Sequence, residues 1–150
     1  PFYISITINI KSEVLTNVER IESKHDTLYV IFRVFIGLLF MQHGLQKIAG
    51  MFGGMGGATA PVFTLMWFAG YIELLGGFAI AVGFFTRLAA GIAALEIAIA
   101  YGMAHASAGL IPLVNGGELA LLYFFSFLTI LGHGAVKFSL EWKLLKREVF

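Results

Sequence analysis

The sequence predicts an all-α integral membrane protein folded as a four-helix bundle. Three observations carry this. Hydrophobic residues make up 59% of the chain and charged residues 13%, whereas soluble domains hold roughly 45–50% and about 25%. Four segments are long enough to cross a bilayer, whose hydrocarbon core takes about 20 helical residues. Small residues recur at helical spacing along three of the four, the pattern by which helices approach one another in lipid.

The elements follow in chain order. Residues 2–10 read FYISITINI, with Ile4, Ile6, Ile8 and Ile10 alternating with polar residues, which is a strand pattern. From Glu13 to Lys24 the apolar residues Val14, Leu15, Val18 and Ile21 recur at helical spacing among charges, as in an amphipathic helix lying at a membrane surface. Residues 1–27 are therefore expected to be an N-terminal extension. The first span runs from about Leu28 to Ala49, and the loop GMFGGMGG follows. The second runs from about Val62 to Phe85. A tight turn with Thr86 and Arg87 leads into the third, Leu88 to His105. The loop SAGLIPLVNGG ends where Glu118 opens the fourth, which reaches about Leu131. Residues 28–136 are expected to form the four-span domain, and residues 137–150 a basic tail with Lys137, Lys143, Lys146 and Arg147.

Lys and Arg bias sets orientation in the membrane. With four spans, Lys11, Arg20, Lys24, Arg87 and the tail share one side, against Lys47 alone on the other. Both termini are expected in the cytoplasm of a cell-membrane protein. A net charge of +1 gives no reason to expect nucleic acid as a partner. The chain has no Cys, which excludes thiolate metal sites and thiol exchange carried by this chain alone. No His pair has H-E-x-x-H spacing, so no metal site is expected.

Arg33, His43, Lys47, Glu73, Arg87, Glu96, His105, Asn115 and Glu118 lie within or at the ends of the spans. Ionisable groups at membrane depth are costly, so they face one another or a polar cavity. Arg33, Gly37, Gly44 and Lys47 share a stripe of the first span, with His43 beside it. Ala69, Glu73 and Gly76 do so in the second, and Ala89, Ala93, Glu96 and Ala100 in the third. Arg33 and Glu96 are expected as a structural ion pair, and Arg87 as a topology anchor. His43, Lys47, Glu73, His105 and Glu118 are expected to converge, with His43, Glu73 and Glu118 as acid/base candidates. Lys47, His105 and Asn115 are expected to line a substrate or cofactor pocket.

The runs GLLFMQHGLQKIAGMFGG (residues 37–54), ELLGGFAIAVGFFTRLAA (73–90) and NGGELALLY (115–123) resemble the DoxX family, over about Leu28 to Leu131. The resemblance implies a four-span membrane protein. Some members of that family are the membrane subunit of thiosulfate:quinone oxidoreductase, others accompany partner proteins in redox homeostasis, and distant relatives act as assembly factors. It thus implies quinone-linked redox chemistry with quinone as the cofactor, in the lipid bilayer and beside other subunits of a membrane complex. The alternative is a non-catalytic accessory or assembly subunit. A transporter is a third possibility, made weaker because the spans show no evident inverted repeat.

Overall fold

The computed structural model describes residues 2–136 and 138–146, with side chains for Leu15 and for residues 24–136 and 138–146. It is all-helical, with no strand among the described residues. The principal helices are α1 (Phe2–Ala49), α2 (Leu65–Val82), α3 (Thr86–Ala104) and α5 (Glu118–His133). Between and after them lie the short α4 (Pro112–Asn115) and α6 (Leu140–Leu145), with 3-10 turns at Met51–Gly53 and Ala106–Ala108. The stretches Lys24–Ala49, Leu65–Val82 and Thr86–Ala104 are long and apolar enough to cross a membrane, while Glu118–His133 is a shorter apolar helix. The chain divides into two compact units, residues 1–32 and 33–150.

In the first unit the strand expected at Ile4–Ile10 is corrected, because these residues are the opening turns of α1. A lone strand leaves its backbone donors and acceptors without partners, whereas a helix closes them within the segment. The amphipathic face expected over Glu13–Lys24 falls on side chains outside the described residues, apart from Leu15 and Lys24, both exposed.

In the second unit α1 and α2 run antiparallel with their backbones in contact. A β-carbon on Gly37 would stand 2.6 Å from both the Gly77 carbonyl and the Ala81 nitrogen, and one on Gly44 would stand 2.4 Å from the Leu74 nitrogen. Gly37 and Gly44 are the stripe read from the first span. On α2 the packing residues are Gly70 and Gly77, in place of the expected Ala69 and Gly76. Gly76 and Gly77 are adjacent in sequence, so composition offers two rotations of α2, and only the mate decides which one faces it. Thr64 caps α2, its Oγ1 accepting from the Trp67 N–H at 3.3 Å. Gly83, with φ of 73°, closes it. On α3 the expected Ala89 and Ala93 are buried, joined by Ala90, Ala94 and Ile97.

α3 and α5 pack antiparallel with matched ends. At one end the Arg87 guanidinium donates to the carbonyls of Leu131 at 2.7 Å and Gly132 at 2.8 Å. At the other, His105 meets Asn115. Arg87 therefore closes the last carbonyls of α5, a role favoured by its positive charge at a helix C-terminus.

The ion pair expected between Arg33 and Glu96 is corrected. Arg33 is 1% exposed and donates to the Ala135 carbonyl and, at 3.0 Å, to the Phe138 carbonyl. It lies level with Gly83, where a β-carbon would come within 2.5 Å of its Nη1. Glu96 lies on the stretch of α3 beside Glu73 and Lys47, its charged neighbours. Two residues at such different levels cannot meet. The segment after α5 belongs to the second unit, since the Glu141 N–H donates to the Gly83 carbonyl at 3.0 Å and Glu141 is fully buried. Lys137 and Arg147 of the expected basic tail lie outside the described residues.

Candidate functional site

The stretch of chain where α1 and α2 meet at glycine also brings charge together. Lys47 stands one turn beyond Gly44 on the same face of α1, and Gly70 clears its path. A β-carbon at Gly70 would lie 3.0 Å from the Lys47 β-carbon and 2.8 Å from the Ile48 side chain. Lys47 thereby reaches across α2 and forms an ion pair with Glu73 through Oε1. The Glu73 side chain is 4% exposed and that of Lys47 17%. Ala60 donates its N–H to the Lys47 carbonyl at 2.7 Å, which ties the loop after the glycine-rich turns to this end of α1.

Three further groups complete the cluster. His43 lies one turn before Lys47, its ring edge-on to Tyr123 of α5 with centroids 5.7 Å apart and planes at 82°. Tyr123 is buried and within electrostatic range of Glu73. Glu96 comes from α3, within range of both Glu73 and Lys47. Each principal helix thus contributes to one level of the bundle. Below it Phe40 packs edge-on to Phe127 at 4.6 Å and against Tyr123 at 5.7 Å, an apolar floor that keeps water out.

Two oxygens in the cluster lack donors. Glu73 Oε2 and Glu96 Oε2 are buried and accept no hydrogen bond among the described residues. Buried acceptors are almost always satisfied, so each such exception has a reason. α2 and α3 also leave an apolar groove of about 310 Å³, with Ile72, Gly76 and Ala79 on one wall and Leu88, Ala89 and Ile92 on the other. That volume lies at the small end of ligand pockets.

Of the six catalytic and pocket candidates named from sequence, His43, Lys47 and Glu73 come together. His105, Asn115 and Glu118 do not join them. Glu118 is exposed in the first turn of α5, where a carboxylate suits the helix dipole. Asn115, 8% exposed, organises the loop between α3 and α5. Its Nδ2 donates to Tyr101 Oη at 3.1 Å and to the Gly109 carbonyl at 2.8 Å, and its Oδ1 accepts from the Gly117 N–H at 2.8 Å. His105 Nδ1 lies 2.9 Å from the Asn115 carbonyl. Asn115→Ala removes all three side-chain bonds and strands the buried Gly117 N–H, so it should destabilise this loop by about 2–3 kcal/mol. Hydrogen exchange across residues 105–117 should rise while that of α1 and α2 stays unchanged.

Sequence reasoning assigned Glu96 to a structural pair and passed over Tyr123. The available signal for Tyr123 was its place in NGGELALLY, one of the runs that carry the family likeness. Tyr123 is also the polar member of a buried stripe with Phe127 and Ile130 at spacings of four and three.

The family model described as DoxX matches residues 28–106, which include α2, α3 and the part of α1 that bears His43 and Lys47. A protein of Haemophilus influenzae described as uncharacterized is 36% identical over 122 residues, covering 77% of this chain and 89% of that protein. No solved structure matches.

Proposed function

The chain belongs to the DoxX family, and on that premise we propose that it acts in, or as a membrane subunit for, quinone-linked redox chemistry. The observation that carries this is the buried cluster of Lys47, Glu73, Glu96, His43 and Tyr123, with two acceptor oxygens left open. The residues present suit a quinone head group. Lys47, Tyr123 and a protonated His43 nitrogen are donors for carbonyl oxygens, while Glu73 Oε2 and Glu96 Oε2 are acceptors for hydroxyls. A bound quinone would supply an acceptor for two electrons and two protons. Lys47 would attract an anionic electron donor, Glu73 and His43 would take or give protons as acid/base groups, and the Phe40–Phe127 floor would exclude water. The apolar groove between α2 and α3 is open to the side, as a lipid-soluble ligand requires.

The same reading has the chain crossing the cell membrane four times, with both termini cytoplasmic. α5 is short for a span, yet it packs along α3 from Arg87 to His105 and so shares the depth of a span-length helix. His105, Asn115 and Glu118 then serve the loop at the far side and not the acid/base chemistry.

The test is binding and reduction of a short-chain ubiquinone or menaquinone analogue by purified protein in lipid vesicles, with thiosulfate or sulfite as donor. Binding that is lost in Glu73→Gln is the expected result. Neither binding nor reduction with either donor would sink the proposal.

A second reading, an accessory subunit of a larger membrane complex, draws on α1. At 48 residues it is far longer than the roughly 20 needed to cross a bilayer, which leaves a helical arm for a partner subunit. Removing residues 2–23 separates the two readings. Lost co-purification of partner subunits with quinone binding intact favours the arm as a docking element, and unchanged co-purification removes it.

A further inference from the structure

The charges at the centre of the bundle do not balance as they stand. Lys47 brings one positive charge, and Glu73 neutralises it through Oε1. Glu96, from the facing helix, adds a second carboxylate within range of the same two residues. If both carboxylates were ionised, two negative charges would share one cation at low dielectric, where like charges repel strongly. Both would also be acceptors only, leaving Glu73 Oε2 and Glu96 Oε2 buried without a donor.

One proton resolves both problems. We infer that Glu73 and Glu96 form a proton-binding site that holds a single proton between them, with Lys47 as the fixed counter-charge. A protonated Glu96 has an O–H to donate to Glu73 Oε2, so one hydrogen bond satisfies both open oxygens. The site is then neutral overall, as a group at membrane depth needs to be.

Glu73 stands nine residues before the last residue of α2 and Glu96 ten residues after the first of α3, and the two helices are antiparallel, joined by the tight turn at Gly83–Phe85, so the two carboxylates come from about the same level of the bundle. The other titratable groups facing the pair are Lys47 and His43 from α1 and Tyr123 from α5. His43 carries an exchangeable proton on a ring nitrogen and Tyr123 one on its phenol oxygen, and the two provide the way in and out. On release the proton leaves a Glu96 oxygen, no other bond changes, and the site goes from neutral to a charge of −1.

This inference is independent of any quinone, and its test uses none. Protein labelled with ¹³C-glutamate, in lipid nanodiscs, is titrated upward from neutral pH while its infrared carboxyl bands are followed in H₂O and D₂O. The expected result is a protonated glutamate carbonyl band, sensitive to deuterium, that converts to carboxylate with release of one proton per chain. Glu96→Gln should abolish the band while the fold survives, because its amide N–H takes over the donation to Glu73. Glu73→Gln should abolish it too, since Glu96 then ionises beside Lys47. Absence of any such band in the native protein overturns the inference, as does a band that persists in both variants. A band that appears only when choline replaces sodium also overturns it, because a sodium ion would then be the occupant.

Discussion

Gly44→Ala should push α1 away from α2 and dismantle the charged cluster along with the helix pair. The added methyl group would stand 2.4 Å from the Leu74 nitrogen and 2.6 Å from the Gly70 carbonyl. Both are backbone atoms of a helix, so neither can swing aside as a flexible side chain does. The strain exceeds ordinary overpacking, and a loss of about 3 kcal/mol or more is expected. The effect reaches function because Lys47 is one turn away and crosses α2 at Gly70. Moving the helices apart separates Lys47 from Glu73. Thermal unfolding in detergent, together with the infrared signature of the glutamates, reads both consequences. Gly102→Ala is the control: nothing lies within 4 Å of the added carbon, so unfolding should change by less than about 0.5 kcal/mol.

Lys47→Met should destabilise the protein by about 3–5 kcal/mol, the usual result of removing one member of a buried ion pair. Glu73, at 4% side-chain exposure, would lose its cation in a region with no other cation reaching it by hydrogen bond among the described residues, so it is left either charged and unpaired or forced to take up a proton, and both cost stability. The double variant Lys47→Met, Glu73→Leu should recover most of that loss, because two apolar side chains need no partner there. A double-mutant cycle followed by thermal unfolding measures the coupling. A coupling near zero would mean that the pair holds no register and that Lys47 is present for its ligand alone. The recovered double variant should still fail to bind quinone, which separates the stability of the pair from its use.

The two variants also mark how far the chain is legible before folding. Gly37, Gly44 and Lys47 were readable as one face of a helix, because heptad spacing of small residues has one meaning in lipid. The mate on α2 was not, since Gly76 and Gly77 offer rotations that differ by one residue. Glu96 was placed with the wrong partner for a related reason. Helical periodicity gives the face of a residue but not its level on a neighbouring helix, and level is what separates Arg33 from Glu96. The candidates at the ends of the third and fourth spans stand apart for another reason. His105 and Glu118 read as part of the cluster, and Asn115 as lining a pocket, because all sit toward one end of the bundle, yet Asn115 uses its side chain to close a loop and Glu118 is exposed.

The sequence by itself determined the class of protein, its four long apolar segments and the residues that carry charge into them. These follow from composition and periodicity, which are properties of the chain taken one segment at a time. Only the tertiary structure decided that Lys47 pairs with Glu73, that Arg33 and Arg87 bind the carbonyls at and beyond the end of α5, and that Tyr123 and Glu96 complete the cluster. Each of those outcomes depends on the register between helices. Register is fixed by the close approach of backbones at glycine, and no segment contains that information alone.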